Sequence, residues 1–259
     1  MISIMVKDAQ GNVLASTSYE TEALLAVDRN YQLGDLIEIT SSEKHLWVQM
    51  DATILPGEVY LPEGRMTWVI PQGEHRLAYS PAAFTGPRHI VTARAMTTEE
   101  TAARRNLACN PSDLRGDTDF FPHCTANVET RGESCFAARN VIDGVRHSNS
   151  HGEWPWQSWG IGAREDAWCL LDFGREVAVD EMTLTLRADF PHDAYWVSGH
   201  VVLSDGAEIA YDLEKTGDRQ YISLGAHTVR WMRLERMQKS DDPSAFPALI
   251  EWEVFGQEG

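Results

Sequence analysis

Short apolar stretches separated by turns follow one another from residue 1 to about 96. The stretches ISIMV, LIEIT, HLWVQ and MTWVI each run into residues of the kind that favour turns, such as Gly, Pro, Asn, Asp and Ser. Strands of this length, with breaks at this spacing, are typical of an all-β sandwich. We therefore predict an N-terminal β-sandwich domain at residues 1–96, whose role the pattern does not indicate.

The second part of the chain alternates apolar and polar residues. In VDEMTLTLR, the residues Met182, Leu184 and Leu186 would lie on one face of a strand, and Arg187 would lie on the opposite face near the strand's end. The same alternation recurs in HVVLSDG, VRWMRLERM and IEWEVFG. This pattern predicts a second all-β domain at residues 111–259.

The segment MTTEETAARRNLA lies between these two parts. Thr97 is a candidate N-cap, and Glu100 follows three residues later, which is the spacing of a capping box. We predict a linker or a short helix at residues 97–110. A chain of 259 residues suits two domains of ordinary size.

The charge balance limits the partners. The chain carries 39 acidic and 22 basic residues, a formal net charge of -17. Such a surface repels polyanions, so nucleic acid is not an expected partner.

The start of the chain lacks a secretory signal and no apolar run is long enough for a membrane span, so we expect a cytoplasmic protein without membrane contact.

The cysteines Cys109, Cys124, Cys135 and Cys169 all lie in the second half and show no C-x-x-C spacing. They could form two disulfides in an exported protein, but we expect reduced, structural cysteines.

The sequence also contains no nucleophile-elbow, P-loop, zinc-protease or dinucleotide-binding motif.

Four motifs in order suggest a family. The run AARNVIDG, a Trp-rich loop, the long segment AWCLLDFGREVAVDEMTLTLR and the terminal PALIEWEVFG resemble the discoidin or coagulation-factor type C family, with its galactose-binding-like relatives. The resemblance covers residues 106–256. It implies a jelly roll whose loops at one end bind a carbohydrate, often with a structural calcium ion.

The resemblance also implies site residues. The calcium carboxylates of the family fall on Asp143 and Glu251, which offer the hard oxygen ligands that calcium prefers. Asp143 could instead simply stabilise the turn before a glycine. An arginine that contacts sugar hydroxyls falls on Arg187, and Gln157 stands where the sugar-binding relatives have a histidine. Phe246 is the candidate for an aromatic residue that stacks on a sugar ring.

The segment HGEWPWQSWG, residues 151–160, is rich in residues that suit a sugar. Tryptophan offers a flat apolar face and a polar N–H, and His151 and Glu153 could bind hydroxyls. At least one tryptophan is expected to be core, with Trp156 and Trp159 as candidates for closing the sandwich end. We predict that Trp154 is the exposed one.

The segment LRADFPHDAYW, residues 186–196, concentrates charged groups. Arg187, Asp189, His192 and Asp193 could clamp neighbouring hydroxyls through charge-assisted hydrogen bonds. They could also ligate a metal or perform acid–base chemistry, or form an internal bridge that holds the loop.

The combined prediction is an all-β protein of two β-sandwich domains, the second a galactose-binding-like jelly roll that binds a mono- or oligosaccharide. A carbohydrate-active enzyme, either a lyase, a hydrolase or an epimerase, is the alternative, and a subunit of a larger assembly is another. The residues expected to converge on one patch are His151, Glu153, Trp154, Gln157, Arg187, Asp189, His192 and Asp193, with Phe246 beside them.

Overall fold

The structure is a computed structural model that describes residues 1–147, 149–188 and 194–259. The first half contains eight strands: β1 (Ile2–Lys7), β2 (Val13–Tyr19), β3 (Glu22–Asp28), β4 (Leu36–Ser41), β5 (His45–Gln49), β6 (Gly57–Tyr60), β7 (Arg65–Val69) and β8 (Arg88–Ala95). They form two four-stranded antiparallel sheets, in the orders β2-β1-β4-β7 and β3-β8-β5-β6. One hydrophobic cluster, which includes Ile4, Leu25 and Trp68, draws residues from both sheets. The first half is therefore a β-sandwich.

The described residues of the second half also form eight strands: β9 (Arg105–Asn106), β10 (His123–Ala126), β11 (Trp159–Gly160), β12 (Cys169–Arg187), β13 (Trp196–Leu203), β14 (Glu208–Asp212), β15 (Gln220–Lys239) and β16 (Ala248–Glu258). They form one antiparallel sheet with the path β11-β16-β12-β15-β13-β14, in which β10 pairs with β12 and β9 with β16. Register shifts interrupt the pairing of β12 with β15 after Asp172 and after Val179. Such irregularities bend long strands, so the sheet can enclose its own core.

Helices are few. The α-helix α1 (Thr98–Ala102) follows Thr97, whose side chain and that of Glu100 make both hydrogen bonds of the capping box. Short 3₁₀ helices lie at Gly73–Arg76, Thr130–Gly132, Ser134–Phe136 and Ala138–Ile142. None of the helices in the described part of the chain is long and apolar enough to cross a membrane. The predicted all-β fold class is confirmed.

The two halves are in contact through both backbone and side chains. β9 pairs with β16 of the second half, yet Phe120, further along the chain, is buried in the hydrophobic cluster of the first half. The Trp68 Nε1–H donates a hydrogen bond of 2.8 Å to the Ser112 carbonyl oxygen. Because the chain returns to the first core after α1, the boundaries at 97–110 and 111–259 stay a prediction.

A network of charges, the junction network, joins the halves. Glu58 on β6 accepts two hydrogen bonds from Arg105, at 2.6 and 2.7 Å. Glu258 on β16 accepts two from Arg175, both at 2.7 Å, and a third from Arg105 at 2.8 Å. His45 lies 3.4 Å from Glu58. Since each carboxylate faces a guanidinium in a partly or fully buried place, the network holds the two sandwiches in one arrangement.

The cysteines Cys109, Cys124, Cys135 and Cys169 are free thiols. The Sγ atoms of Cys124 and Cys169 lie 3.2 Å apart on the neighbouring strands β10 and β12. Burial raises the pKa of the Cys124 thiol well above its usual value, so this thiol is protonated at neutral pH.

Candidate functional site

A cleft of about 350 Å³ lies where the two halves meet. The first half contributes the side chains of Thr53, Tyr79 and Ser80 to its wall, and the second contributes Asp143, Trp154 and Gln157. The volume falls in the range of small-molecule pockets. Three residues that the sequence analysis singled out, Asp143, Trp154 and Gln157, are thus brought together.

A tight turn positions Asp143. The 3₁₀ helix Ala138–Ile142 ends there, and the backbone N–H of Val145 donates a 2.9 Å hydrogen bond to Asp143 Oδ1. Gly144 has a φ of +81°, in the left-handed region that glycine adopts without strain. Its N–H donates a 3.1 Å hydrogen bond to Glu251 Oε1, so the turn rests on β16. Asp143 does stabilise its own turn, which was the simpler of the two expectations.

Asp143 also orients Gln157. The Gln157 amide Nε2 donates a 2.9 Å hydrogen bond to Asp143 Oδ2. The Gln157 side chain is only 1% exposed, and its Oε1 has no hydrogen-bond partner among the described residues. A buried amide oxygen without a partner is costly. Gln157 therefore presents a fixed acceptor in the wall of the cleft.

Three carboxylates of this region, Asp143, Glu251 and Glu253, interact electrostatically, since the charges of Asp143 and Glu253 both raise the pKa of Glu251. Burial raises the pKa of Asp143 to about 6, although the charge of Arg139 and the hydrogen bonds from Gln157 and Val145 act against the rise. Burial also raises the pKa of Glu251 well above its usual value, and the charges of Asp143 and Glu253 add to the effect. Glu251 Oε2 has no hydrogen-bond partner within the described ranges.

Arginines surround the three carboxylates unevenly. Arg139 is buried, and its Nη1 lies 3.6 Å from Asp143 Oδ2. Its guanidinium also stands over the ring of Tyr79, 4.8 Å from the centroid, and so forms part of the contact between the halves. Arg219 and Arg146 pair with Glu253, at 2.7 and 3.2 Å. No arginine in the described part of the chain is paired with Glu251 by a salt bridge.

The three tryptophans of the Trp-rich loop have different roles. Trp159 is fully buried, donates its Nε1–H to the Val128 carbonyl oxygen and packs beside Trp196. Trp154 and Trp156 are both half-buried, and Trp154 lies in the wall of the cleft. The Trp154 backbone N–H donates a 2.9 Å hydrogen bond to the Leu77 carbonyl oxygen, which attaches the loop to the first half.

The other predicted sugar-binding residues that the structure describes do not line the cleft. Arg187 is 4% exposed at the end of β12, opposite Ala248, and does not line the cleft. Phe246 is 50% exposed and does not line it either. His151 and Glu153 are exposed on the Trp-rich loop. The calls on Asp189, His192 and Asp193 lie outside the described residues, so the convergence of the full set stays a prediction.

Thr53, Tyr79, Ser80 and Arg139 are residues of the cleft that the sequence analysis missed. Three of them come from the first half, for which no motif was found. Arg139 precedes Asp143 by four residues, and the run AARNVIDG was assigned only to the fold. The i to i+4 spacing of an arginine and an aspartate was the one signal that could have identified Arg139.

No family model matches this chain, and no curated protein matches it. Solved structures do resemble it. Chitosan-binding module 1 from the chitosanase/glucanase of Paenibacillus sp. IK-5 is 20% identical over 59% of this chain and 99% of that module, with a TM-score of 0.42. The lectin domain of lectinolysin, complexed with Lewis B antigen, is 20% identical over 59% of this chain and 97% of the domain, with a TM-score of 0.44.

A third similar structure is the family 32 carbohydrate-binding module of NanJ from C. perfringens, in complex with galactose. It is 14% identical over 51% of this chain and 91% of the module, with a TM-score of 0.39. The names of these three structures describe sugar-binding modules. With TM-scores of 0.39–0.44, the ligand of this chain has to be inferred from its own residues.

Proposed function

We propose that this protein binds a carbohydrate in the cleft between its two halves. The observation that carries the proposal is the pairing of Trp154 with Gln157 in one wall. Trp154 is an aromatic side chain that remains partly exposed, and Gln157 is a buried amide whose Oε1 has no hydrogen-bond partner within the described residues. One side chain suits the apolar C–H face of a sugar ring, and the other suits a sugar hydroxyl.

The opposite wall supports this choice. Ser80 Oγ accepts a 3.3 Å hydrogen bond from the Ala82 N–H, which leaves the Ser80 O–H to donate to a ligand. Thr53 contributes a second hydroxyl, whose hydrogen is donated to Asp51 Oδ1 at 2.8 Å, so the Thr53 oxygen can accept. Besides the ionisable side chains of Arg139, Asp143, Arg146 and His147, the cleft is lined by two aromatic side chains, an amide and hydroxyls, which offer groups for a polyhydroxylated ligand.

Asp143 supports binding rather than catalysis. Both of its carboxylate oxygens accept hydrogen bonds, from the Val145 N–H and from Gln157 Nε2. A general acid or base must reach the reacting atom directly or through one water. We therefore assign Asp143 the role of holding Gln157 in place; each of its oxygens keeps a second lone pair, which a cation could use.

Titration calorimetry tests the proposal. The intact protein is titrated with glucose, galactose, fucose and N-acetylglucosamine, and with oligosaccharides of each. We expect saturable binding of at least one sugar. A polyanion such as heparin should not compete with that sugar for the cleft. Absence of binding across the panel would contradict the proposal, and turnover of a panel sugar, followed by chromatography, would support the alternative of a carbohydrate-active enzyme.

A calcium ion at Asp143 and Glu251 is part of the same proposal. Both carboxylates are buried, the Gly144 N–H that follows Asp143 donates to Glu251, and Glu251 Oε2 has no hydrogen-bond partner in the described part of the chain. Two buried carboxylates close together are costly without a compensating cation. Oxygen ligands of this kind fit calcium, which would stabilise the turn of Asp143, the residue that holds Gln157.

Calcium is accordingly expected to raise the thermal unfolding temperature. A ligand that binds only the folded state contributes about 2.7 kcal/mol at a hundred times its dissociation constant. The measurement is differential scanning fluorimetry in calcium chloride and in EDTA, with magnesium chloride as the control ion. Glu251→Gln is expected to lose the calcium increment. An unfolding temperature that is equal with calcium and with EDTA would argue against the ion.

A further inference from the structure

A second cavity of about 260 Å³ adjoins the cleft. Segment 73–81 of the first half forms one side of it, and Glu153 and Trp154 of the second half form the other. Tyr79 and Trp154 line both this cavity and the cleft. The two spaces are therefore neighbours that share these two aromatic side chains.

Backbone contacts hold the walls of the second cavity in place. The Trp154 N–H donates to the Leu77 carbonyl oxygen, and the Trp156 N–H donates to that of Glu153 at 3.0 Å, which closes the turn of the Trp-rich loop. On the facing side, the Arg76 Nη2–H donates a 3.0 Å hydrogen bond to the Pro81 carbonyl oxygen. The position of Arg76 is thus set by the segment to which it belongs.

The guanidinium of Arg76 has an N–H group that can still donate a hydrogen bond. Its Nε is buried and has no hydrogen-bond partner among the residues that the structure describes. Glu153, which is exposed, lines the same cavity. A guanidinium and a carboxylate on opposite sides of a small space can donate to and accept from the hydroxyls of one sugar unit, through charge-assisted hydrogen bonds. Their charges cancel, which favours a neutral unit.

We propose that the first half supplies a second sugar subsite, in which Arg76 and Glu153 bind the next unit of an oligosaccharide that crosses Trp154. This inference rests on the proposed sugar binding in the cleft and extends it. It names the ligand class as a neutral oligosaccharide of two or more units. It also gives the N-terminal sandwich a role, because the second subsite is incomplete without segment 73–81.

The test compares mono- and disaccharides by titration calorimetry, with the pairs glucose and cellobiose, galactose and lactose, and N-acetylglucosamine and chitobiose. We expect the disaccharide of the accepted sugar to bind at least about tenfold more tightly than the monosaccharide, as charge-assisted hydrogen bonds to a second unit allow. In Arg76→Ala, the ratio of the monosaccharide Kd to the disaccharide Kd is expected to fall to a value between about 1 and 3. Arg88→Ala, an exposed arginine of the same sandwich that lines neither cavity, is the matched control.

The outcomes separate the two proposals. If no sugar of the panel binds, the function proposed for the cleft fails. If the monosaccharide binds but the disaccharide binds no more tightly, or if Arg76→Ala weakens both equally, the second subsite is wrong and the cleft stands. Glu153→Ala is the second variant, since the Glu153 side chain is exposed and its removal should leave folding intact, as thermal unfolding will verify. It too is expected to lower the ratio.

Discussion

Replacing Trp154 by alanine is expected to weaken sugar binding by about tenfold to a hundredfold, which corresponds to about 1.4–2.8 kcal/mol. The reason is that Trp154 lies in the walls of both the cleft and the second cavity, where its ring can cover the apolar face of a sugar. Large aromatic side chains dominate the energetics of such contacts because of the apolar area they bury. The measurement is titration calorimetry with the sugar that the wild type accepts.

Trp156→Ala is the matched control. Trp156 belongs to the same loop, is half-buried like Trp154, and donates its Nε1–H to Asn149 at 2.9 Å, but it lines neither cavity. We expect its replacement to change affinity by no more than about threefold. Equal losses in the two variants would show that the loop as a whole, and not the face of Trp154, is responsible, and an unchanged affinity in Trp154→Ala would contradict the proposed site.

Replacing Arg175 by alanine is expected to lower the free energy of unfolding by about 3–5 kcal/mol, the usual cost of removing one partner of a buried ion pair. Arg175 makes two hydrogen bonds to Glu258, lies 3.4 Å from Glu58, and stands over the Tyr60 ring at 4.9 Å. Without Arg175, the carboxylates of Glu58 and Glu258 in the junction network share the guanidinium of Arg105. Urea unfolding followed by circular dichroism measures the change.

The control for this variant is Arg104→Ala. Arg104 also pairs with a carboxylate, Asp180 at 2.6 Å, but both side chains are about half exposed. Exposed pairs contribute little because water screens them, so we expect a loss of about 1 kcal/mol or less. Losses of similar size in the two arginine variants would mean that the junction network stabilises the protein no more than a surface pair does.

The junction network also predicts an acid dependence of stability. Burial alone would raise the pKa of Glu58, but the hydrogen bonds from Arg105 and His45 and the charges of Arg105 and Arg175 outweigh it and lower the pKa to about 2. Because the pKa in the folded state lies below the ordinary value of 4.5, the stabilisation is fully present above about pH 4.5 and is lost as the pH falls toward 2. Arg105→Ala, which removes the largest of these lowering interactions, should flatten this part of the stability profile, measured by urea unfolding at several pH values.

The candidate site was foreseen only in part. Asp143, Gln157 and Trp154 could be picked out because motif order placed them in loops of a recognisable sandwich, and the structure brings all three to one cleft. The strand periodicity put Arg187 opposite Met182 and Leu184, but both faces of that end of β12 are buried. Alternation separates two faces of a strand and does not reveal which of them a neighbouring loop will cover.

By itself, the sequence determined what depends on near neighbours along the chain: alternating strands, the capping box at Thr97, the Asp143–Gly144 turn and the presence of a core tryptophan in the Trp-rich loop. Only the tertiary structure decided that the cleft proposed as the site lies between the halves. Tyr79 and Arg76 are far from Trp154 in sequence, and nothing local marks them as partners. The surface that two sandwiches share is set by packing and by pairs such as Glu58 with Arg105, which join residues whose spacing along the chain carries no signal.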